Sequence, residues 1–246
     1  MRLKTVATGS TGNCHLLIAD SGETLILDCG VPIKEIKKGL GWNIKKVVGV
    51  LCTHRHLDHS KSAVELYKTG FYAVAPYLIS SRSEKLSYKL KKSRFDISAF
   101  ALKTADGKWT HTNGDGSECP CYGFWIQHPE MGTLIYATDT NLIKWRFKNV
   151  NHILLGVNYD PELLSGDDAK KNHVVRGHMS IDTACDFVKA NASPDLQNVI
   201  MCHLSSENAD KDSFIEKMKK AVPMVNVCVA EPGMELELRN PDECPF

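Results

Sequence analysis

The sequence predicts an α/β fold built from short buried strands and amphipathic helices. Apolar runs of strand length recur along the chain, for example residues 47–52 and 133–138. Helix-type patterns such as residues 180–191 lie between them, and polar side chains follow the strands directly, as His54 and Asp139 do. Loops of this kind converge at the carboxyl edge of the strands in α/β proteins. At 246 residues the chain is long enough to bury a substantial core.

The amino-terminal part is expected to consist mainly of strands. Turn signals at residues 9–13 and 21–22 divide the first three of them. Ser60 is expected to cap a helix that ends near Gly70. The predicted strands of this part are residues 3–8, 14–19, 24–28, 47–52 and 71–75.

A basic helix is expected next, over about residues 78–92. Its Arg82, Lys85, Lys89 and Lys92 recur at steps of three and four residues, which places them on one helix face. This face is either an ordinary solvated surface or a track for phosphates.

The rest of the chain alternates strands and helices after a polar loop at residues 103–121. Residues 113–116 (Asn-Gly-Asp-Gly) are a strong turn signal within this loop. Ser180 can cap the helix that follows it. The predicted strands are residues 122–127, 133–138, 152–157, 198–202, 225–229 and 235–239, and the predicted helices are residues 180–191 and 209–221.

Composition limits the class of protein. A net charge of +1, with 43% hydrophobic and 24% charged residues, is typical of a globular protein that is not polyanion-binding as a whole. No apolar stretch approaches the roughly 20 residues of a membrane span, and the amino terminus lacks a signal-peptide pattern. Nine cysteines, an odd number, argue against a complete disulfide framework, so reduced thiols and a cytoplasmic location are expected. Cys119-Pro-Cys121 is either a weak metal motif or part of a loop and core.

The run His54-Arg55-His56-Leu57-Asp58-His59 predicts a metal site. In an extended segment His54 and His56 point the same way and can reach one ion. Asp58 and His59, at the turn into a helix, can reach a second ion nearby. Imidazole and carboxylate ligands suit Zn²⁺, Mn²⁺ or Fe, and the lack of thiolates argues against a structural zinc site.

Later residues are expected to complete the ligand sets. Asp139 follows a strand and is placed to bridge two ions. His203 ends another apolar strand, and His111 is favoured over His128 because residues 128–132 have the composition of a turn. His178, in Gly-His-Met-Ser before a helix, is a candidate for substrate contact or proton transfer.

These residues resemble the metallo-β-lactamase superfamily along nearly the whole chain. Within it the chain is most similar to the WalJ-type and phage-encoded branch related to ribonuclease Z. The resemblance is based on the His54–His59 run, on residues 9–14 (Gly-Ser-Thr-Gly-Asn-Cys), on residues 177–180 and on residues 203–208 (His-Leu-Ser-Ser-Glu-Asn).

The resemblance implies one αββα sandwich domain over residues 1–246, with two mixed sheets flanked by helices. It also implies two divalent metal ions, most simply zinc, with Asp139 as the bridging aspartate. Thr112 follows His111 where the family often has an acidic residue. One implied ligand set is His54, His56 and His111, and the other is Asp58, His59 and His203.

We predict a metal-dependent hydrolase of phosphodiesters, first a nuclease acting on DNA or RNA. The metals are expected to activate a water, with Asp58 or Asp139 accepting its proton. His178, Ser10, Asn13, Ser205 and Asn208 are the predicted groups for phosphate binding or leaving-group protonation. The alternatives are a cyclic-nucleotide or other small phosphodiesterase, a glyoxalase II-like thioesterase or lactonase, and a non-catalytic metal-binding sensor. Both a monomer and a homodimer are compatible with the sequence, and no membrane partner is expected.

Overall fold

Two mixed β-sheets, each with helices on its outer face, form the architecture. The computed structural model describes residues 1–78, 85–90, 92–164 and 167–240. The strands are β1 Arg2–Ala7, β2 Cys14–Ile18, β3 Thr24–Leu27, β4 Val47–Leu51, β5 Ala73–Val74, β6 Lys85–Lys89, β7 Asp96–Ala101, β8 Tyr122–His128, β9 Gly132–Ala137, β10 His152–Gly156, β11 Asn198–Cys202, β12 Asn226–Val229 and β13 Glu235–Glu237. The helices are α1 Ile33–Gly39, α2 Leu57–Ser60, α3 Ala63–Lys68, α4 Asp168–Gly177, α5 Ile181–Asn191 and α6 Lys211–Ala221, with 3₁₀ turns at Ile44–Lys46 and Pro76–Leu78.

Each sheet combines an antiparallel part with a parallel part. The first sheet has the order β13-β1-β2-β3-β4-β5, and its parallel pairs are β3 with β4 and β4 with β5. The second has the order β12-β11-β10-β9-β8-β7-β6, and β9 to β12 are parallel. The parallel strands of both sheets therefore end in loops that can converge on one site.

The strands are apolar on both faces because each sheet is covered on both sides. Leu25 and Leu27 belong to the core between the sheets, whereas the intervening Ile26 packs on the side of α1 and α3. In β10, Leu154 enters the same central core, while Ile153 and Leu155 pack with α5 and α6. This alternation follows from the two-residue period of a strand. Full burial of each such side chain stabilises the fold by about 1.5–3 kcal/mol.

The predicted fold class, two mixed sheets flanked by helices, is confirmed, and most predicted strands lie within two residues of the observed ones. The prediction of a basic helix over residues 78–92 was wrong. Lys85–Lys89 is a strand that pairs with β7, because Leu86 and Tyr88 alternate inward against the core. Arg82 lies outside the described residues.

Smaller differences concern helices. Ser60 is the last residue of α2 rather than the cap of a longer helix, and α3 begins only after Ser62. Ser180 does cap α5, because its hydroxyl accepts the Thr183 backbone N–H at 3.2 Å. α1 and α4 were not predicted from the sequence.

Candidate metal centre

Three strand ends place polar side chains at the centre by means of an unusual backbone conformation. Asp28, Asp139 and His203 follow β3, β9 and β11, with φ of 56°, 50° and 57°. Residues other than glycine seldom adopt this left-handed region, and where they do the strain is commonly found at functional sites. All three side chains are buried, and their strands come from both sheets.

The loop after β4 supplies the histidine cluster, and backbone contacts hold it in place. The Asp58 carbonyl accepts the Asn13 N–H at 2.7 Å, and the His59 carbonyl accepts the Cys29 N–H at 2.8 Å. A Cβ at Gly30 would lie 1.6 Å from the Asp58 carbonyl oxygen, so only glycine allows this approach.

The structure brings the predicted ligands together around the carboxylate of Asp139. Its Oδ2 lies 3.7 Å from His54 Nε2, 3.4 Å from His59 Nε2 and 3.6 Å from His111 Nε2. Its Oδ1 lies 3.5 Å from His203 Nδ1. Within each of three groups the ligand atoms lie no more than 4.8 Å apart: His54, His56 and His111; Asp58, His59, Asp139 and His203; and His111, Asp139 and His178.

The first group presents lone pairs to a common point. The His111 Nδ1–H donates to the Gly177 carbonyl at 2.8 Å, which leaves His111 Nε2 unprotonated. The His56 Nε2–H donates to the Asn113 amide oxygen at 3.0 Å, which leaves His56 Nδ1 unprotonated. These two bare nitrogens lie 3.0 Å apart, an arrangement that a bound cation stabilises.

A buried network around Asp28 orients two further imidazoles. The carboxylate accepts the Thr53 hydroxyl at 3.0 Å and His59 Nδ1–H at 2.7 Å, together with the Tyr136 hydroxyl at 2.5 Å. Because the Thr53 proton goes to Asp28, its oxygen accepts from His54 Nδ1 at 3.1 Å. These Nδ1 contacts leave His54 Nε2 and His59 Nε2 as the ring nitrogens through which the two imidazoles can bind metal. In the described part of the chain, His54 Nε2 is a buried atom without a hydrogen-bond partner.

Charge and burial shift the titration of the ligands in opposite directions. Burial raises the pKa of Asp139, but the charges of His203 and His59 outweigh it and hold that pKa well below its usual range. Burial lowers the pKa of His111 to about 4 and that of His54 well below its usual range. Burial also lowers the pKa of His59, but the carboxylates of Asp139 and Asp28 outweigh it and hold that pKa well above its usual range. The site thus combines an ionised carboxylate with closely packed imidazoles, which is the donor set of a divalent cation.

A polar cavity of about 350 Å³ opens over this cluster. Three of the predicted substrate-binding residues, Ser10, Ser205 and Asn208, line it, and so does His178. The His178 ring stacks on that of His203, with 5.5 Å between the ring centroids, and His178 Nδ1 lies 3.9 Å from Asp139 Oδ1. Asn158, Glu207 and Asp58 also line the cavity.

Asn13 was predicted to contact substrate, and the structure corrects this placement. Its side chain is 1% exposed and does not line the cavity. The amide instead lies 3.0 Å from His59 Nε2 and 3.2 Å from His203 Nδ1, and it bonds the backbone of Gly9 in both directions. Asn13 therefore positions the ligand loop.

Other residues that the sequence had raised fall outside the cluster. His128 is buried at the end of β8, and its Nδ1 accepts the Glu130 N–H at 3.2 Å. Cys119 and Cys121 are buried thiols, and burial raises the pKa of each. Neither thiol belongs to a metal-type group among the described residues.

Two residues of the centre, Asp28 and Asn113, were missed. Asp28 had a usable signal, since it is a carboxylate directly after an apolar strand, just as Asp139 is. Asn113 was assigned only to a turn. Its side chain accepts from both His56 and Arg55 while its amide bonds Ser117, so the turn also supports a ligand.

Comparisons with known proteins agree with this fold. The profile of the metallo-beta-lactamase superfamily matches residues 7–117. Exodeoxyribonuclease YycJ of Bacillus anthracis is 24% identical over 228 residues, which are 86% of this chain and 85% of that protein. The metallo-beta-lactamase fold protein YhfI of Bacillus subtilis superposes with a TM-score of 0.65 at 16% identity, covering 96% of this chain and 98% of that one. The short form of human tRNase Z gives a TM-score of 0.60 at 14% identity, covering 97% and 99%.

The fold and the His/Asp cluster able to bind metal define a metal-dependent hydrolase. Residues 7–117 match the metallo-beta-lactamase superfamily, and the chain shares its fold with solved metallo-beta-lactamase fold proteins. In the part of the chain that the structure describes, no helix has the length and apolar character needed to span a membrane.

Proposed function

We propose that the protein is a two-metal phosphodiesterase that cleaves nucleic acid, either DNA or RNA. The observation that carries the proposal is the polar cavity over the Asp139 carboxylate, which two ligand groups share. The walls of this cavity offer imidazole, hydroxyl and amide groups from His178, Ser10 and Asn158, which suit the oxygens of a phosphate. Exodeoxyribonuclease YycJ, which matches most of this chain, supports the same substrate class.

The residues fit two divalent cations, with zinc first and manganese or iron as alternatives. We assign Asp139 to both cations because each of its oxygens faces different histidines. When bound, such cations lower the pKa of water toward neutrality and stabilise the charge that develops on phosphate oxygens. One ion would be held by His54, His56 and His111, and the other by Asp58, His59 and His203.

The chain's own groups would orient the substrate and move protons. His178 stands beside Asp139 at the cavity wall, so it can hold a phosphate oxygen or protonate the leaving oxygen. Asp58, which is partly exposed, can accept the proton of the attacking water. Ser10 and Ser205 can donate hydroxyl hydrogen bonds to the phosphate, while Asn208 supports the Ser205 turn through its backbone N–H at 3.1 Å.

Metal analysis and a substrate panel test this proposal. We expect about two ions per chain, and hydrolysis of bis-p-nitrophenyl phosphate and of single- or double-stranded nucleic acid. A glutathione thioester and a lactone serve as the comparison substrates. Turnover of the thioester or lactone alone would overturn the phosphodiesterase assignment, and failure to retain metal after reconstitution would overturn the two-metal assignment.

His178→Ala separates substrate handling from metal binding. We expect a loss of about 10²–10⁴-fold in kcat, the usual contribution of a positioned proton donor, with close to two ions retained. Loss of metal together with activity would instead make His178 a ligand, as its proximity to His111 and Asp139 allows.

Domain extent and location are proposed with the function. We propose one catalytic domain over residues 1–246 that acts in the cytoplasm, where nucleic acid is present and thiols stay reduced.

A further inference from the structure

A second, larger groove lies apart from the metal centre. It has a volume of about 1040 Å³ and shares no lining residue with the cavity over Asp139 among the described residues. One wall comes from the start of β4 and the turn before β5, and the other from the β6–β7 hairpin. Val47 in the groove begins β4, and His54 in the centre lies in the loop after its other end, roughly 20 Å away for an extended chain.

The groove concentrates positive charge. Lys45 and Lys46 stand on one wall, and Lys89 and Lys92 on the other, and all four are exposed. Among the described lining residues Glu23 is the only acidic one, and its carboxylate is hydrogen-bonded to the β6–β7 hairpin. Its Oε1 accepts the Ser93 hydroxyl at 2.6 Å and the Arg94 N–H at 2.9 Å. For a chain of net charge +1, this is a local basic surface whose charge suits an acidic ligand.

Aromatic side chains lie between these lysines. Tyr67 is 70% exposed and Tyr72 is 56% exposed, and Phe71 joins them at the turn before β5. Exposed aromatic faces inside a basic groove are the arrangement by which proteins hold single-stranded nucleic acid, with bases stacked on the rings and phosphates along the lysines.

We propose that this groove binds a single strand of nucleic acid beyond the scissile phosphodiester. The proposal rests on the proposed nuclease function. The lysines neutralise phosphates several nucleotides from the metal centre, and Tyr67 and Tyr72 stack bases. A stacked duplex would not present its base faces to these rings, so the occupant is single-stranded. Lys89 and Lys92, which the sequence analysis placed on a basic helix, thereby act in substrate binding from the β6–β7 hairpin instead.

The test is binding of a fluorescent oligonucleotide in the presence of EDTA, so that cleavage does not interfere. The probe is oligo-dT of about 16 nucleotides, the upper range for one binding module, with oligo-U as its RNA counterpart. The groove variant carries Lys45→Gln, Lys46→Gln, Lys89→Gln and Lys92→Gln. The matched control replaces four exposed lysines outside the groove, Lys34, Lys38, Lys148 and Lys219, with glutamine and therefore has the same net charge.

We expect the groove variant to lose at least about tenfold in affinity, and its salt dependence to be shallower by about 3, since each single-strand phosphate contact contributes roughly 0.7 to the slope. The control variant should keep the wild-type salt slope. Tyr67→Ala with Tyr72→Ala should weaken binding by about tenfold or more without changing the slope. Hydrolysis of bis-p-nitrophenyl phosphate should stay at the wild-type rate in all of them.

Equal losses in the groove and control variants would overturn the proposal, because net charge alone would then explain binding. Binding of polyglutamate as tightly as the oligonucleotide, or of duplex more tightly than single strand, would also overturn it. If the wild type binds the strand through the groove but hydrolyses no phosphodiester, the groove assignment stands and the proposed function fails. If the wild type cleaves the oligonucleotide but the groove variant binds it normally, the proposed function stands and the groove assignment fails.

Discussion

Asp28 offers a sharp test of how the centre is organised, because it binds no substrate and still orients two ligands. In Asp28→Asn an NH₂ group replaces one carboxylate oxygen. If it replaces Oδ2, it meets His59 Nδ1–H and the Tyr136 hydroxyl, both of which need an acceptor. If it replaces Oδ1, it meets the Thr53 backbone N–H, which donates to Oδ1 at 2.8 Å in the unsubstituted protein. Neither orientation of the amide satisfies all the donors.

The magnitude follows from the donors left without an acceptor. Each unsatisfied buried donor costs about 1–3 kcal/mol, and even the orientation with NH₂ at Oδ1 leaves two, the Thr53 N–H and the new NH₂ group, so the variant should be destabilised by roughly 2–6 kcal/mol in the metal-free state. His59 also loses the carboxylate that fixes its tautomer, since its Nδ1–H meets an NH₂ group in one orientation and a neutral amide oxygen in the other. Removal of such a partner usually lowers metal affinity by about 10–100-fold. The weaker ion should be the one assigned to Asp58, His59 and His203.

Urea unfolding of EDTA-treated protein and competitive chelator titration measure these two effects. Asp106→Asn is the control, because that carboxylate is 61% exposed and its ion-pair partner, Lys108, is not part of the centre. Unchanged metal affinity in Asp28→Asn, with the expected destabilisation, would refute the role of Asp28 in orienting ligands. Unchanged stability would refute the hydrogen-bond network itself.

Three other outcomes are expected. Asp139→Asn should abolish most hydrolysis and lower the metal content while near-native circular dichroism is kept; two tightly held ions in this variant would contradict the assignment of Asp139 to both. His111→Ala should lose metal measured by mass spectrometry, whereas His128→Ala should retain it, and the opposite pattern would mean that His128 is the ligand. His152 is buried, and burial lowers its pKa to about 4, so the unfolded chain takes up its proton first as pH falls below 6.5. Stability should therefore fall by about 2 kcal/mol from pH 7 to about pH 5 on account of this residue. His152→Gln should show a correspondingly smaller loss in urea unfolding at the two pH values, and an identical loss would exclude His152 as the cause.

The fold was largely predictable because its strands are buried on both faces and so form continuous apolar runs. Residues 47–52 and 198–202 illustrate this, and their observed strands differ by at most one residue. The β6 strand was missed because lysines at helical spacing concealed the inward alternation of Leu86 and Tyr88. Only pairing with β7, a tertiary contact, decides between the two periods.

The candidate ligands could be predicted, whereas of the groups that orient them only Asp28 had a signal in the sequence. A histidine or aspartate after a strand is visible in the sequence, and His54, Asp139 and His203 were found in this way. The contact of Asn113 with His56 joins residues 57 positions apart, and nothing local to either residue signals it. Asn13 was misplaced for the same reason, since its two imidazole partners come from distant loops.

The left-handed backbone at Asp28, Asp139 and His203 also limits how stable this protein can become. Each such residue costs on the order of 1–3 kcal/mol, and glycine would relieve that cost at the same position. The substitutions with the most strain to release are therefore those that remove a side chain of the centre. Selection for thermal tolerance alone would erode the chemistry at these three strand ends, so stabilising changes compatible with activity should be sought elsewhere in the fold.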